Sequence, residues 1–168
     1  MSLADTTPDG LDRRDFLWAL AAVVLVNLLG GAPAVLNGPG SAWFDALVKP
    51  AIYPPGWAFG VVWTLLFTLL GVAVFLVARE GLAARRVQVA LGLFALQFVF
   101  NIAWTPVFFT LQMPTAALGV IAVLALLLVP TIWTFDRVDR RAAALLVPYL
   151  AWVLFATVLN YRFVVLNA

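Results

Sequence analysis

The positions of the charged residues constrain this chain more than any other feature. Between them lie four stretches free of Asp, Glu, Lys and Arg: Phe16 to Phe44 (29 residues), Pro50 to Ala78 (29), Val87 to Phe135 (49) and Ala142 to Tyr161 (20). A helix of about 20 residues crosses the roughly 30 Å hydrocarbon layer of a bilayer, so each stretch is long enough to span a membrane and the 49-residue one must do so twice. Its natural break is Gln112-Met113-Pro114, where a tight turn is followed by a proline suited to open the next helix. Five spans are therefore expected, at 16–36, 56–78, 87–110, 115–135 and 142–166, after a polar N-terminal tail over 1–15. Segments such as Ala116 to Val129 are apolar on every face, which argues against the alternating pattern of a barrel strand. The expected fold is an all-α integral membrane bundle in a single domain, residues 16–168. Composition agrees: 65% of the 168 residues are hydrophobic and 11% are charged, too few to clothe a soluble surface.

An odd number of spans puts the two termini on opposite sides, and the cations are divided unevenly between those sides. Arg13, Arg14, Arg79, Arg85, Arg86, Arg137, Arg140 and Arg141 fall on one side, whereas the other has only Lys49 and Arg162. The positive-inside tendency then makes the N-terminus cytoplasmic, in a cell membrane, with the loop from Asn37 to Pro55 facing outward. The net charge of +2 reflects this topology; no basic soluble face suggests a nucleic-acid partner. Arg13-Arg14-Asp15-Phe16-Leu17, an apolar run and Ala32-Pro33-Ala34 also look like a twin-arginine export signal. Cleavage there would leave four spans. Two arginines before a first span are equally what orientation requires, and a proline in the small-residue site hinders cleavage, so retention is the preferred reading.

The chain has no cysteine and no histidine, which removes disulfides, thiol nucleophiles, His-based metal or haem ligation and any Ser-His-Asp triad. No carboxylate falls within the five expected spans, so the buried acid common in proton-coupled pumps is missing. The only lysine, Lys49, belongs to a loop and offers no Schiff base inside a bundle. No metal or organic cofactor is expected to be required.

The spans do carry aromatic and amide groups at helical spacing. The third has Gln97, Asn101, Trp104, Thr105 and Phe108; the fifth has Tyr149, Trp152, Ala156 and Asn160; the second has Gly60, Trp63, Thr64 and Phe67. Membrane amides often serve only as glue between helices, and tryptophans as interfacial anchors. Trp104 and Trp152 lie well inside their spans, however, and their N–H groups need partners or a polar cavity there. Converging stripes of this kind suit a flat, aromatic-walled pocket.

The loop before the second span reads Trp43-Phe44-Asp45-Ala46-Leu47-Val48-Lys49-Pro50, then Pro54-Pro55-Gly56-Trp57-Ala58-Phe59-Gly60-Val61-Val62-Trp63-Thr64. Phe100-Asn101-Ile102-Ala103-Trp104-Thr105-Pro106-Val107-Phe108-Phe109 follows in the third span. Pro148-Tyr149-Leu150-Ala151-Trp152, Phe155-Ala156 and Leu159-Asn160-Tyr161 follow in the fifth. In these motifs, in their order and in their spacing, the chain resembles the TspO/MBR family of tryptophan-rich sensory proteins and peripheral-benzodiazepine-receptor-type translocator proteins, from about residue 30 to residue 167. The resemblance implies a five-helix protein, commonly a homodimer, that binds porphyrins and other hydrophobic ligands, with a sensory or transport role. Positions matching the family's ligand pocket are Phe59, Gly60, Trp63, Asn101, Trp104, Tyr149, Trp152, Ala156 and Leu159. Trp63 and Trp152 match two tryptophans implicated in light-dependent porphyrin degradation, which makes such an enzyme one alternative; a lipid or sterol transporter is another. The sterol motif of mammalian members is broken, because Arg162 follows Tyr161 directly and no later Lys or Arg exists. Ala51 and Ile52 replace aromatic residues common after the Lys-Pro pair. Small residues Gly92, Ala95 and Ala103 lack a strict small-xxx-small register, so a dimer through the third span rests on the resemblance.

Overall fold

The computed structural model describes residues 12–168, and helices account for every regular element in that range. The expected polar tail falls largely on residues 1–11, outside the described residues. Helix α1 spans Arg13–Asn37, a one-turn helix α2 Ala42–Ala46, α3 Gly56–Ala78, α4 Arg85–Thr105, α5 Pro114–Asp136 and α6 Arg140–Leu166. Five of these are long and apolar enough to cross a membrane. The protein is a multi-pass integral membrane protein.

Local chemistry sets the boundaries, and corrects several sequence-based ones. Asp12 accepts the amide of Asp15 at 2.7 Å and starts α1 at Arg13 rather than Phe16, so the twin arginines are the helix's first residues. Asp139 accepts the amides of Arg141 and Ala142, starting α6 at Arg140 rather than Ala142. Helix α4 likewise starts two residues early, at Arg85. Its far end departs further from expectation. Pro106 has no N–H to continue the helical ladder, and the chain widens into a π turn over Pro106–Thr110, closed by the Leu111 amide on the Pro106 carbonyl at 2.9 Å. The expected turn follows, with Gln112 at φ 55° and Pro114 opening α5. Pro54 and Pro55 deliver an extended chain to Gly56, where α3 begins as expected.

Packing orders the spans as a ring: α1 against α3, α3 against α6, α6 against α5, α5 against α4, and α4 back to α1. Helices α1 and α3 approach one another closely at Gly71. A Cβ on Gly71 would lie 2.5 Å from Val23 Cα, so only glycine lets these backbones meet. Asn27 adds a bond across the same seam, its amide donating to Thr68 Oγ1 at 3.3 Å. Helix α1 is otherwise the least buried span.

Among the described residues, buried side chains form two clusters. The larger fills the arginine-rich end, with Leu70, Val77, Val87, Ala90, Leu124, Leu128, Phe135 and Leu146. The smaller lies beneath the first loop and consists of Phe44, Phe108, Ala117, Leu159 and Phe163. The aromatic and amide stripes fall around the junction of the two.

Candidate ligand-binding site

Helix α6 supplies the backbone of the site. Tyr149, Trp152 and Ala156 recur at helical spacing and share a face that meets α3. From α3, Trp63 stacks on Phe67 (centroids 5.2 Å apart, planes at 28°) and turns its edge region toward Tyr149 at 6.3 Å. One turn nearer the loop, Phe59 meets Trp152 edge-on at 6.0 Å, and Trp152 meets Phe155 at 5.1 Å. Offset and edge-to-face geometries of this kind are those aromatic quadrupoles favour. The result is an apolar wall of packed aromatic rings between α3 and α6.

The polar groups of the third span divide between two networks. Tyr149 is fully buried; its hydroxyl accepts from Asn101 Nδ2 at 2.9 Å and donates to Gln97 Oε1 at 3.0 Å. Trp104 faces elsewhere: its Nε1 donates to Asn160 Oδ1 at 3.0 Å, and Asn160 Nδ2 donates to the Pro114 carbonyl at 2.9 Å. Asn160 thus ties three spans together at the loop-side end. Trp104 also stacks on Phe108 at 5.1 Å, a ring that the π turn has rotated into the smaller core.

Of the two deep indole N–H groups flagged from sequence, one is satisfied and one is not. Trp152 Nε1 is buried and has no acceptor among the described residues; the same holds for Gln97 Nε2. A buried donor left unpaired costs about 1 to 3 kcal/mol, so a molecule offering an acceptor at Trp152 gains by binding there.

The first loop closes over this wall. Helix α2, capped by Ser41 Oγ on the Phe44 amide at 3.2 Å, drives Phe44 down among Phe109, Phe163 and Phe108, at centroid distances of 5.0, 5.9 and 6.3 Å. Lys49 places its ammonium 3.8 Å from the Phe44 ring centroid and donates to the Phe44 carbonyl. Asn167, just past α6, accepts from the Val48 amide at 2.8 Å and donates to the Val48 carbonyl at 3.2 Å. Tyr53 bridges loop and wall, 5.4 Å from Phe59 and 5.8 Å from Phe163. Burial there pushes its phenol above the ordinary tyrosine pKa.

Among the residues singled out from sequence, the structure brings Phe59 against Trp152, and joins Trp63, Tyr149 and Asn101. Leu159 belongs to the smaller core, nearer the loop; Trp104 packs against both clusters and Ala156 against the larger one. Gly60 is exposed, with nothing within 4 Å of a Cβ built on it. Sequence reasoning left Tyr53, Phe44, Phe163 and Asn167 out of the site. Tyr53 was legible as the aromatic residue remaining after Ala51 and Ile52, and Phe44 lies in the first-loop motif without having been read as a site residue; Phe163 and Asn167 carry no local signal, because their partners lie at distant positions in the chain.

The family model of the TspO/MBR family matches residues 19–166, which includes every residue of this arrangement except Asn167. The chain belongs to the TspO/MBR family. It is 43% identical over 129 residues to the tryptophan-rich protein TspO of Chlorobaculum tepidum, covering 77% of this chain and 82% of that one. It is 39% identical over 153 residues to the tryptophan-rich sensory protein of Cereibacter sphaeroides, covering 89% and 92%. To the translocator protein of Homo sapiens it is 38% identical over 128 residues, covering 75% of each. These TspO/MBR relatives, named as sensory and translocator proteins, support a membrane receptor or transporter role.

Proposed function

We propose that this protein binds porphyrins and related flat hydrophobic molecules between α3 and α6, under the first loop, as a sensory or carrier protein of the cell membrane. The observation that carries the reading is the buried Nε1 of Trp152, without an acceptor among the described residues, in a wall of aromatic rings where Trp152 meets both Phe59 and Phe155. Indoles stack on a macrocycle, and a peripheral carboxylate or carbonyl supplies the missing acceptor. The protein works as a homodimer with its N-terminus in the cytoplasm, the orientation the arginine bias favours.

Quenching of tryptophan fluorescence by protoporphyrin tests the proposal. Loss of one stacking indole is worth about 1 to 3 kcal/mol by analogy with base stacking, so Trp63→Leu or Trp152→Leu should weaken binding about 5-fold to 100-fold. Trp18→Leu, on an exposed face of α1, should change little. Wild-type affinity in both pocket variants would refute the assignment. Equal weakening by Trp18→Leu would mean that porphyrin is partitioning into detergent. The same samples under light report on the degradation alternative, which requires Trp63 and Trp152 and new absorbing products.

A further inference from the structure

At the end of the bundle opposite the first loop, arginines from two different connections meet over one groove. Arg85 and Arg86 stand at the start of α4 and Arg137 directly follows α5; together with Val89, Trp133 and Thr134 they line a hollow of about 350 Å³ between these helices. The Arg137 guanidinium lies 4.5 Å from the Trp133 ring centroid, which holds the cation against the rim of the groove.

The floor offers no free hydroxyl donor to a ligand. Thr134 is buried and its hydroxyl is already engaged, donating to the Pro130 carbonyl at 2.8 Å and lying 3.0 Å from that of Thr131. Val89 and Trp133 are both exposed. Carboxylates do little to neutralise the rim. Glu80 approaches Arg86 only at 3.9 Å, with both side chains substantially exposed, and neither Arg85 nor Arg137 pairs with a carboxylate among the described residues. The neighbouring groove between α5 and α6 differs: Asp136 and Arg140 both line it, so its charges oppose one another.

We propose that the α4–α5 groove is a binding site for an anionic phospholipid of the arginine-rich leaflet. Its phosphate would sit among Arg85, Arg86 and Arg137, and an acyl chain would lie over Val89 and Trp133. Orientation in the membrane requires only that arginines be on this side; it does not require that two connections aim them at one apolar hollow. A free phosphate would leave that apolar floor in contact with water, whereas a lipid at the ends of membrane helices covers it.

Native mass spectrometry of the purified full-length protein in non-ionic detergent tests this, with dioleoyl phosphatidylglycerol as probe and dioleoyl phosphatidylcholine as the same-chain control. Phosphatidylglycerol should be retained preferentially. At about 1 kcal/mol per interfacial cation, Arg85→Gln with Arg137→Gln should weaken its binding about 30-fold and leave phosphatidylcholine unchanged. Arg13→Gln with Arg14→Gln removes the same charge from the same membrane face outside the groove and should have less than about a tenth of that effect. Trp133→Leu, which retains every arginine, should weaken phosphatidylglycerol binding as well. Equal retention of the two lipids, wild-type binding by the Arg85/Arg137 variant, or an equal loss in the Arg13/Arg14 variant would overturn the site. Displacement of the lipid by millimolar inorganic phosphate would overturn the choice of a lipid over a free anion.

Discussion

Replacing Tyr149 with phenylalanine isolates the polar centre of the bundle from its packing. The ring stays, so the contact with Trp63 at 6.3 Å and the filling of the core are preserved, and only the hydroxyl is lost. That hydroxyl makes two bonds, accepting from Asn101 Nδ2 and donating to Gln97 Oε1. Its removal takes one partner from each amide, and Gln97 Nε2 is already without one. Side-chain hydrogen bonds between membrane helices average about 0.6 kcal/mol with a maximum near 1.7, so losing two should destabilise the bundle by about 1 to 3 kcal/mol. Reversible unfolding in mixed detergent micelles measures this directly. A double-mutant cycle with Asn101→Ala should return a coupling of about 0.6 to 1.7 kcal/mol between the two residues. Porphyrin affinity serves as the second readout. The hydroxyl points to Gln97 and Asn101 rather than to the Phe59–Trp152 wall, so affinity should change by less than about 3-fold, well short of the loss of a stacking indole. A variant as stable as wild type, or a coupling energy of zero, would refute the hydrogen-bond network as a stabilising element.

Three further outcomes are expected. Gly71→Leu forces side-chain atoms into the Val23 backbone and should cost about 1 to 3 kcal/mol in the same unfolding assay, whereas Gly60→Ala meets open space and should be neutral or slightly stabilising. Asn167→Ala removes the acceptor of the Val48 amide, and hydrogen exchange of that amide should accelerate about 5-fold, as expected for a loss near 1 kcal/mol; an unchanged rate would mean that Asn167 does not hold the loop. Cysteines placed at Ser41 and at Arg140, in a chain with none of its own, should be labelled by an impermeant thiol reagent from opposite faces of the membrane, Ser41 from outside.

The sequence by itself determined the class, the number of spans and the family. Uncharged runs of about 20 residues have one stable arrangement in lipid, in which each backbone bonds within its own segment, so spans can be counted without knowing their neighbours. The turn at Gln112-Met113-Pro114 and the start of α3 at Gly56 were legible for the same local reason. Helix ends were less so. A side-chain cap such as Asp12 or Asp139 extends a helix past the last charge, and the consequence of Pro106 was visible only as a proline, not as a π turn that re-aims Phe108.

Tertiary structure decided which of the aromatic and amide groups work together. All seven tryptophans look alike in a hydropathy profile, yet Trp18, Trp57 and Trp133 are exposed while Trp43, Trp63, Trp104 and Trp152 turn inward. Gln97, Asn101 and Trp104 share a helix and a helical spacing, but the first two converge on Tyr149 and the third goes to Asn160. The sequence shows which face of a helix carries a group. What that face meets depends on the order of helices around the ring, here α1, α3, α6, α5 and α4, and on how closely each pair approaches. Both are set by the summed packing of all five spans, in which a single glycine against Val23 or an asparagine against Val48 has no counterpart nearby in the chain.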